Sequence, residues 1–142
     1  MNSSRQDYLQ AVYRLSLKRG YTTNKEISAY LRISKASVSE MIRKLVADGK
    51  LKLQKNNISL STEGEKEAKT VLSKHRIWEY FLVEVLKMEH GSVHEQADLL
   101  EHVTSDALRD ALNKYLGYPT LSPNGKFIYE NMEEVRETMR SL

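Results

Sequence analysis

The chain has 142 residues, 40% hydrophobic and 29% charged, and contains no cysteine. It is long enough to bury a core in one domain or two small ones, and it excludes disulfides, thiolate metal sites and cysteine nucleophiles. No apolar run approaches the ~18 residues of a membrane span and the polar N-terminus has no signal-peptide pattern, so the sequence predicts a cytoplasmic protein with no membrane partner.

The formal charge of +3 conceals a division. Residues 1–75 hold 15 Lys and Arg against 7 Asp and Glu, a net of +8, while residues 76–142 hold 7 against 12, a net of −5. A basic front half points to a polyanion-binding module joined to a module with another task.

Residues 5 to about 18 read as a helix in which Tyr8, Leu9, Val12, Leu15 and Leu17 form an apolar stripe and which Gly20 ends. Asn24 stands as the cap of a short helix, Lys25 to Leu31. Ser34 stands as the cap of a third helix, Lys35 to Ala47, in which Val38, Met41, Ile42 and Leu45 recur at spacings of three and four. After the Asp48-Gly49 turn signal, Lys50–Gln54 and Ile58–Ser61 alternate apolar and polar residues across Lys55-Asn56-Asn57, which predicts a hairpin. Helix, helix, turn, helix, hairpin is the order of a winged helix-turn-helix.

Ser34, Lys35, Ala36, Ser37, Ser39 and Glu40 populate the start and exposed side of the third helix, the end that reaches base edges in a major groove. Arg43, Lys44, Lys50, Lys52 and Lys55 supply charge for phosphates, and the tip with Lys55 and Asn56 suits an adjacent backbone or minor groove. The competing reading is a protein-interaction module whose lysines only solubilise it.

Thr62 reads as the cap of a long helix, Glu63 to about Met88, with Glu65 completing a capping box. It is charged at its start and apolar from Val71 onward, as a connector between modules would be. His75 and Glu79 lie one turn apart on it. His90-Gly91 then breaks the chain. A helix opening at Ser92 puts His94, Asp98, Glu101 and His102 within an arc of roughly 100°. Two imidazoles and two carboxylates on one face form either a partial shell for a divalent metal or a solvated polar face. Thr104 or Ser105 caps a further helix, Asp106 to Leu116, with Ala107, Leu108, Ala111, Leu112 and Tyr115 on its apolar side. Gly117-Tyr118-Pro119 stops it, and Ser122-Pro123-Asn124-Gly125 is another turn. A last helix, about Glu130 to Ser141, has Met132, Val135 and Met139 as its apolar line and is polar enough for the surface or a partner subunit.

Several separated blocks stand out together. They are Asp7-Tyr8-Leu9, Ser37-Val38-Ser39, Asp48-Gly49, Leu60-Ser61-Thr62-Glu63-Gly64, Lys74-His75-Arg76, Val93-His94-Glu95, Glu101-His102-Val103 and Ser105-Asp106. On these the chain resembles, over nearly all its length, the diphtheria toxin repressor and manganese transport regulator family of metal-dependent bacterial repressors. The Lys-His-Arg and Glu-His-Val blocks at this separation are the specific part.

The resemblance implies roles for single residues. Asp7, Asp98, Glu101 and His102 match a metal site that triggers DNA binding, and His75, Glu79 and His94 match an ancillary site. Manganese-type members carry a carboxylate one turn after Asp7 that helps form a paired-metal site; here that position is Gln10, whose amide oxygen brings no charge. Carboxylates at Asp7 and Asp98, where iron-type members commonly carry sulfur, favour Mn²⁺ over Fe²⁺, with Zn²⁺ or Co²⁺ able to substitute in vitro. The chain also ends without the SH3-like domain of longer iron-type members, like the manganese branch.

The expected fold class is therefore mainly α. A winged helix-turn-helix with a small hairpin wing, residues 1–73, is linked by a long helix to an all-α dimerisation and metal-binding domain, residues 74–142. The expected function is a metal-activated homodimeric repressor of metal-homeostasis genes, not an enzyme and without a small organic substrate. A metal shared between Asp7 and the acidic module would set the orientation of the domains, and the two recognition helices would meet a palindromic operator on double-stranded DNA. The alternatives are a winged-helix regulator not gated by metal, and a metallohydrolase that lacks any accompanying catalytic motif.

Overall fold

The structure, a computed structural model, describes residues 4–132. The chain divides into two compact units, Met1–Ala68 and Lys69–Leu142. No helix among the described residues is long and apolar enough to cross a membrane.

The first unit opens with α1, Arg5–Leu15, closed at its start by a reciprocal capping box between Ser4 and Asp7. It stops short of Leu17, which is 65% exposed, because the Ser16 hydroxyl donates back to the Val12 carbonyl at 2.5 Å and the chain turns away. Helix α2, Asn24–Leu31, is capped by Thr23 and not by Asn24 as expected. The Asn24 amide is used otherwise: it donates to the Lys35 carbonyl at 3.1 Å and to Ser39 Oγ at 2.8 Å. Arg32, in the left-handed region at φ 57°, turns the chain toward α3, Lys35–Ala47, whose cap is Ser34 as expected.

Strand β1, Leu51–Gln54, pairs antiparallel with β2, Asn57–Leu60, around a two-residue tip, Lys55-Asn56, one residue tighter than the alternation predicts. Thr22 adds a bridge that no local pattern announces, exchanging backbone hydrogen bonds with Ile58 at 2.7 and 2.8 Å. Leu9, Val12, Ile27, Val38 and Leu45 are fully buried, with Ile42, Leu51 and Ile58 nearly so. Each such side chain contributes about 1.5–3 kcal/mol.

Helix α4, Thr62–Tyr80, is capped by Ser61 in place of the expected Thr62, the Gly64 amide donating to Ser61 Oγ at 3.0 Å. The Ser61 amide reaches the Lys50 carbonyl at 3.0 Å. Gly64 is packed so closely there that a Cβ would lie 1.9 Å from the same carbonyl oxygen. The helix ends in a π-helical turn, Phe81–Val85, in which the Leu86 amide bonds to Phe81.

Lys87, at φ 59°, makes the break expected of His90-Gly91. Those two residues instead form the first turn of α5, His90–Val103, which therefore begins before Ser92. Ser105, not Thr104, caps α6, Asp106–Tyr115, since the Thr104 hydroxyl is committed to the Trp78 indole at 2.7 Å and the Leu100 carbonyl at 2.5 Å. Leu72, Ile77, Ala97 and Ile128 form the centre of this unit, beside a reciprocal amide pair between Asn113 and Asn131 at 2.7 and 2.8 Å.

The expected apolar side of α6 does not enter that core. Leu108 is 46% and Tyr115 72% exposed, Ala107 and Ala111 are exposed, and only Leu112 is half-buried. Leu99 and Val103 of α5 are likewise exposed, at 69% and 77%. Of the last expected helix, residues 130–132 are helical, while Val135 and Met139 lie outside the described residues.

Candidate metal centre and nucleic-acid interface

In the second unit α4 presents His75 and Glu79 one turn apart, and α5 presents His94, Asp98 and Glu101. His75 is the hub. Its Nε2 lies 3.2 Å from Glu79 Oε1, and its Nδ1 lies 3.2 Å from Asp98 Oδ1 and 3.1 Å from Glu101 Oε2. His94 stands edge-on to the His75 ring at a centroid separation of 4.9 Å, with Nδ1 3.8 Å from Glu79 Oε2 and Nε2 3.5 Å from Asp98 Oδ2. His102 joins from outside, its Nε2 3.3 Å from the other Glu101 oxygen. The side chains of His75, Glu79 and Glu101 are almost fully buried, while those of His94 and Asp98 are about half exposed.

Burial of this much charge is tolerated only with mutual compensation. Burial works against a charged His75, yet the carboxylates of Asp98, Glu101 and Glu79 outweigh it and push its pKa up from 6.5 to about 11. Burial likewise raises the Glu79 carboxyl, but the imidazoles of His75 and His94 and the Arg76 guanidinium prevail and hold it below its ordinary value.

The compensation is incomplete in geometry. Although two carboxylate oxygens stand near His75 Nδ1, neither is placed to accept a hydrogen bond, and among the described residues this buried nitrogen has no hydrogen-bond partner. Among the described residues two groups converge closely enough to hold an ion: His75 with Glu79 and His94, and His75 with Asp98 and Glu101. Imidazole nitrogens and carboxylate oxygens, without sulfur, are the donors of divalent first-row cations, so the residues fit such an ion.

The remaining expected ligands belong to α1 in the first unit. Asp7 accepts from the Ser4 amide at 3.0 Å in the capping box, and Gln10 is buried.

Also in the first unit, α3 exposes Ser34, Lys35, Ala36, Ser37, Glu40, Arg43 and Lys44, and the hairpin tip exposes Lys55 and Asn56. Ser34 and Ser37 share a hydrogen bond at 2.9 Å. Glu40 pairs with Lys44 at 3.5 Å, an exposed contact of little energetic weight. Ser39 is half-buried and held by Asn24. Between α2, α3 and the wing lies a cleft of ≈ 740 Å³ with Lys25, Lys35, Arg43 and Lys55 at its walls and Ile42, Leu53 and Ile58 among its lining. Asn24 and Lys25, which the sequence suggests only as the start of a helix, also line this cleft. The Asn24–Ser39 contact spans 15 residues and leaves no periodic signal.

A winged helix-turn-helix in one unit and a histidine–carboxylate cluster in the other define a class, the winged-helix DNA-binding regulators that carry a candidate metal centre. Residues 1–57 match the iron dependent repressor N-terminal DNA binding domain, and residues 61–130 match the iron dependent repressor metal binding and dimerisation domain. The chain is 34% identical over 119 residues to the iron-dependent repressor IdeR of Mycobacterium leprae, covering 83% of this chain and 52% of that protein, so it spans about half the length of this curated relative. An HTH-type transcriptional regulator of Methanocaldococcus jannaschii is 33% identical over 119 residues, covering 82% of this chain and 94% of its own. The solved structure of the manganese regulator SloR superposes with a TM-score of 0.78 at 34% identity, over 90% of this chain and 60% of that one. The chain belongs to the iron-dependent repressor family, whose members are metal-dependent DNA-binding transcriptional repressors and not enzymes.

Proposed function

We propose that this chain is a metal-activated, homodimeric transcriptional repressor of metal-homeostasis genes, acting in the cytoplasm on a palindromic operator in double-stranded DNA. The observation that carries the reading is the donor set around His75, three carboxylates and two imidazoles, with a buried ring nitrogen that has no hydrogen-bond partner among the described residues. A divalent cation bound there neutralises the carboxylates and ties α4 to α5. Asp7, by the resemblance of the chain to its family, contributes a carboxylate from α1 to a site with Asp98, Glu101 and His102, so the orientation of the DNA-binding unit follows metal occupancy.

Oxygen and nitrogen donors alone favour Mn²⁺, then Fe²⁺, while Zn²⁺ or Co²⁺ compete in vitro by intrinsic affinity. A second copy of the chain over the exposed Leu99, Val103, Leu108 and Tyr115 would shield apolar surface that a monomer leaves in water, which supports the homodimer. In such a dimer the exposed start of α3 enters the major groove of each half-site, and Lys55 and Asn56 lie along the backbone.

The test is binding to a palindromic duplex titrated with Mn²⁺, Fe²⁺ and Zn²⁺ beside a chelator control. A gain of about tenfold or more with metal is expected. Equal affinity in chelator and in Mn²⁺ would instead make the His75 cluster a structural ion-pair network in a regulator not gated by metal.

A further inference from the structure

The two groups of donors have one residue in common, and that residue has two faces. His75 Nε2 is directed at Glu79 and Nδ1 at Asp98 and Glu101. Each side offers one carboxylate buried almost completely, Glu79 or Glu101, and one half-exposed residue, His94 or Asp98, through which an ion can enter from solvent. A neutral imidazole has one lone pair to give and one N–H to donate, and the nitrogen that binds a metal is selected by the hydrogen bond the other makes. Here each nitrogen has carboxylate oxygen close by, Glu79 at 3.2 Å from Nε2 and Asp98 and Glu101 at 3.2 and 3.1 Å from Nδ1, where a small turn of the ring would make the hydrogen bond that Nδ1 does not form now. With the metal on Nδ1, the Nε2 proton faces Glu79. With the metal on Nε2, the Nδ1 proton faces Asp98 and Glu101.

We propose that His75 is a single ligand offered to two alternative metal seats, one with Glu79 and His94 and one with Asp98 and Glu101, and that it serves one ion at a time. This rests on the reading of the cluster as a metal centre and adds to it a competition. An ion drawing on His75 in one seat withdraws it from the other, and Glu79 and Glu101 each act as ligand in one arrangement and as the carboxylate orienting the ring in the other. The half-exposed Asp98 and His94, 3.5 Å apart, connect the two seats.

The experiment uses the full chain labelled with ¹⁵N at histidine and titrated with Zn²⁺, a diamagnetic probe, the two His75 nitrogens being followed by long-range ¹H–¹⁵N correlation. At every ratio up to saturation one nitrogen is expected to carry metal and the other its proton. Glu101→Gln is expected to move the metal to Nε2, and Glu79→Gln to move it to Nδ1. Metal on both nitrogens at once, metal on neither while Zn²⁺ is bound elsewhere, or the same nitrogen metallated in both variants would each overturn the proposal. A flat calorimetric titration with both Zn²⁺ and Mn²⁺ is a separate failure: it removes the metal-centre reading, and this inference with it.

Discussion

In the first unit the charged side chains face outward and the interior is apolar. Leu9, Ile27, Val38 and Leu45 are fully buried, and the only buried polar residues described there are Gln10 and Thr22. The second unit keeps Leu72, Ile77 and Ile128 inside but also buries His75, Glu79, Glu101, Asn113 and Asn131. One interior is assembled by hydrophobic burial, which is nearly indifferent to protons and cations. The other is assembled partly by charges whose mutual compensation depends on the proton that His75 carries. The proposed function would use this asymmetry, because a reader of DNA must keep its shape while a sensor must change state with its ligand.

Breaking the charged interior should have the largest effect. Glu101→Ala is expected to abolish metal-stimulated DNA binding and to lower the stability of the metal-free protein by about 3 kcal/mol, since the charged His75 loses one of its two buried carboxylate partners and keeps only Glu79. Mn²⁺ calorimetry and denaturant unfolding check the two parts, and a variant normal in both would show that the cluster organises nothing. Next, Gly64→Ala tests the apolar unit by adding a methyl group where there is no room for one. A loss of ~2 kcal/mol is expected, with Mn²⁺ stabilising variant and wild type by the same increment; an unchanged melting temperature would contradict the packing described at Lys50.

The third effect, the smallest per step of the variable changed, is in pH and concerns only the second unit. The His75 pKa is raised to about 11, so its charge stabilises the metal-free protein fully below the unfolded value near 6.5, and that stabilisation is lost as pH rises through the folded value. The same proton must leave before the nitrogen can bind metal. Mn²⁺ affinity should therefore rise about tenfold per pH unit between pH 6 and 8, with about one proton released per ion. Calorimetry in two buffers of different ionisation enthalpy measures the release, and affinity independent of pH would remove His75 from the ligand set.

How much of this is legible in the chain differs by element. Helix α3 was readable to its ends because its cap, its three-four spacing and its Asp48-Gly49 stop all agree. The caps of α2 and α4 were misplaced by one residue because Thr23 and Asn24, like Ser61 and Thr62, are equally able to cap, and only the partners Lys35, Ser39 and Lys50 decide between them. The Asp98 and Glu101 carboxylates could be placed on one helix face from their spacing. Their joint approach to one nitrogen of a ring held by another helix, with Glu79 at the other nitrogen, could not, since α4 and α5 meet through packing that periodicity does not encode.

By itself, then, the sequence determined the order of the helices, the hairpin wing, the split of charge between the two halves and the types of ligand available. Each of these is a local property of residue spacing and side-chain chemistry. Only the tertiary structure decided that His75 stands at the centre with a different carboxylate group at each nitrogen, and that the apolar side of α6 remains in water. Both depend on which faces are left once a single chain has closed its own core, a question of three-dimensional packing that no window of sequence contains.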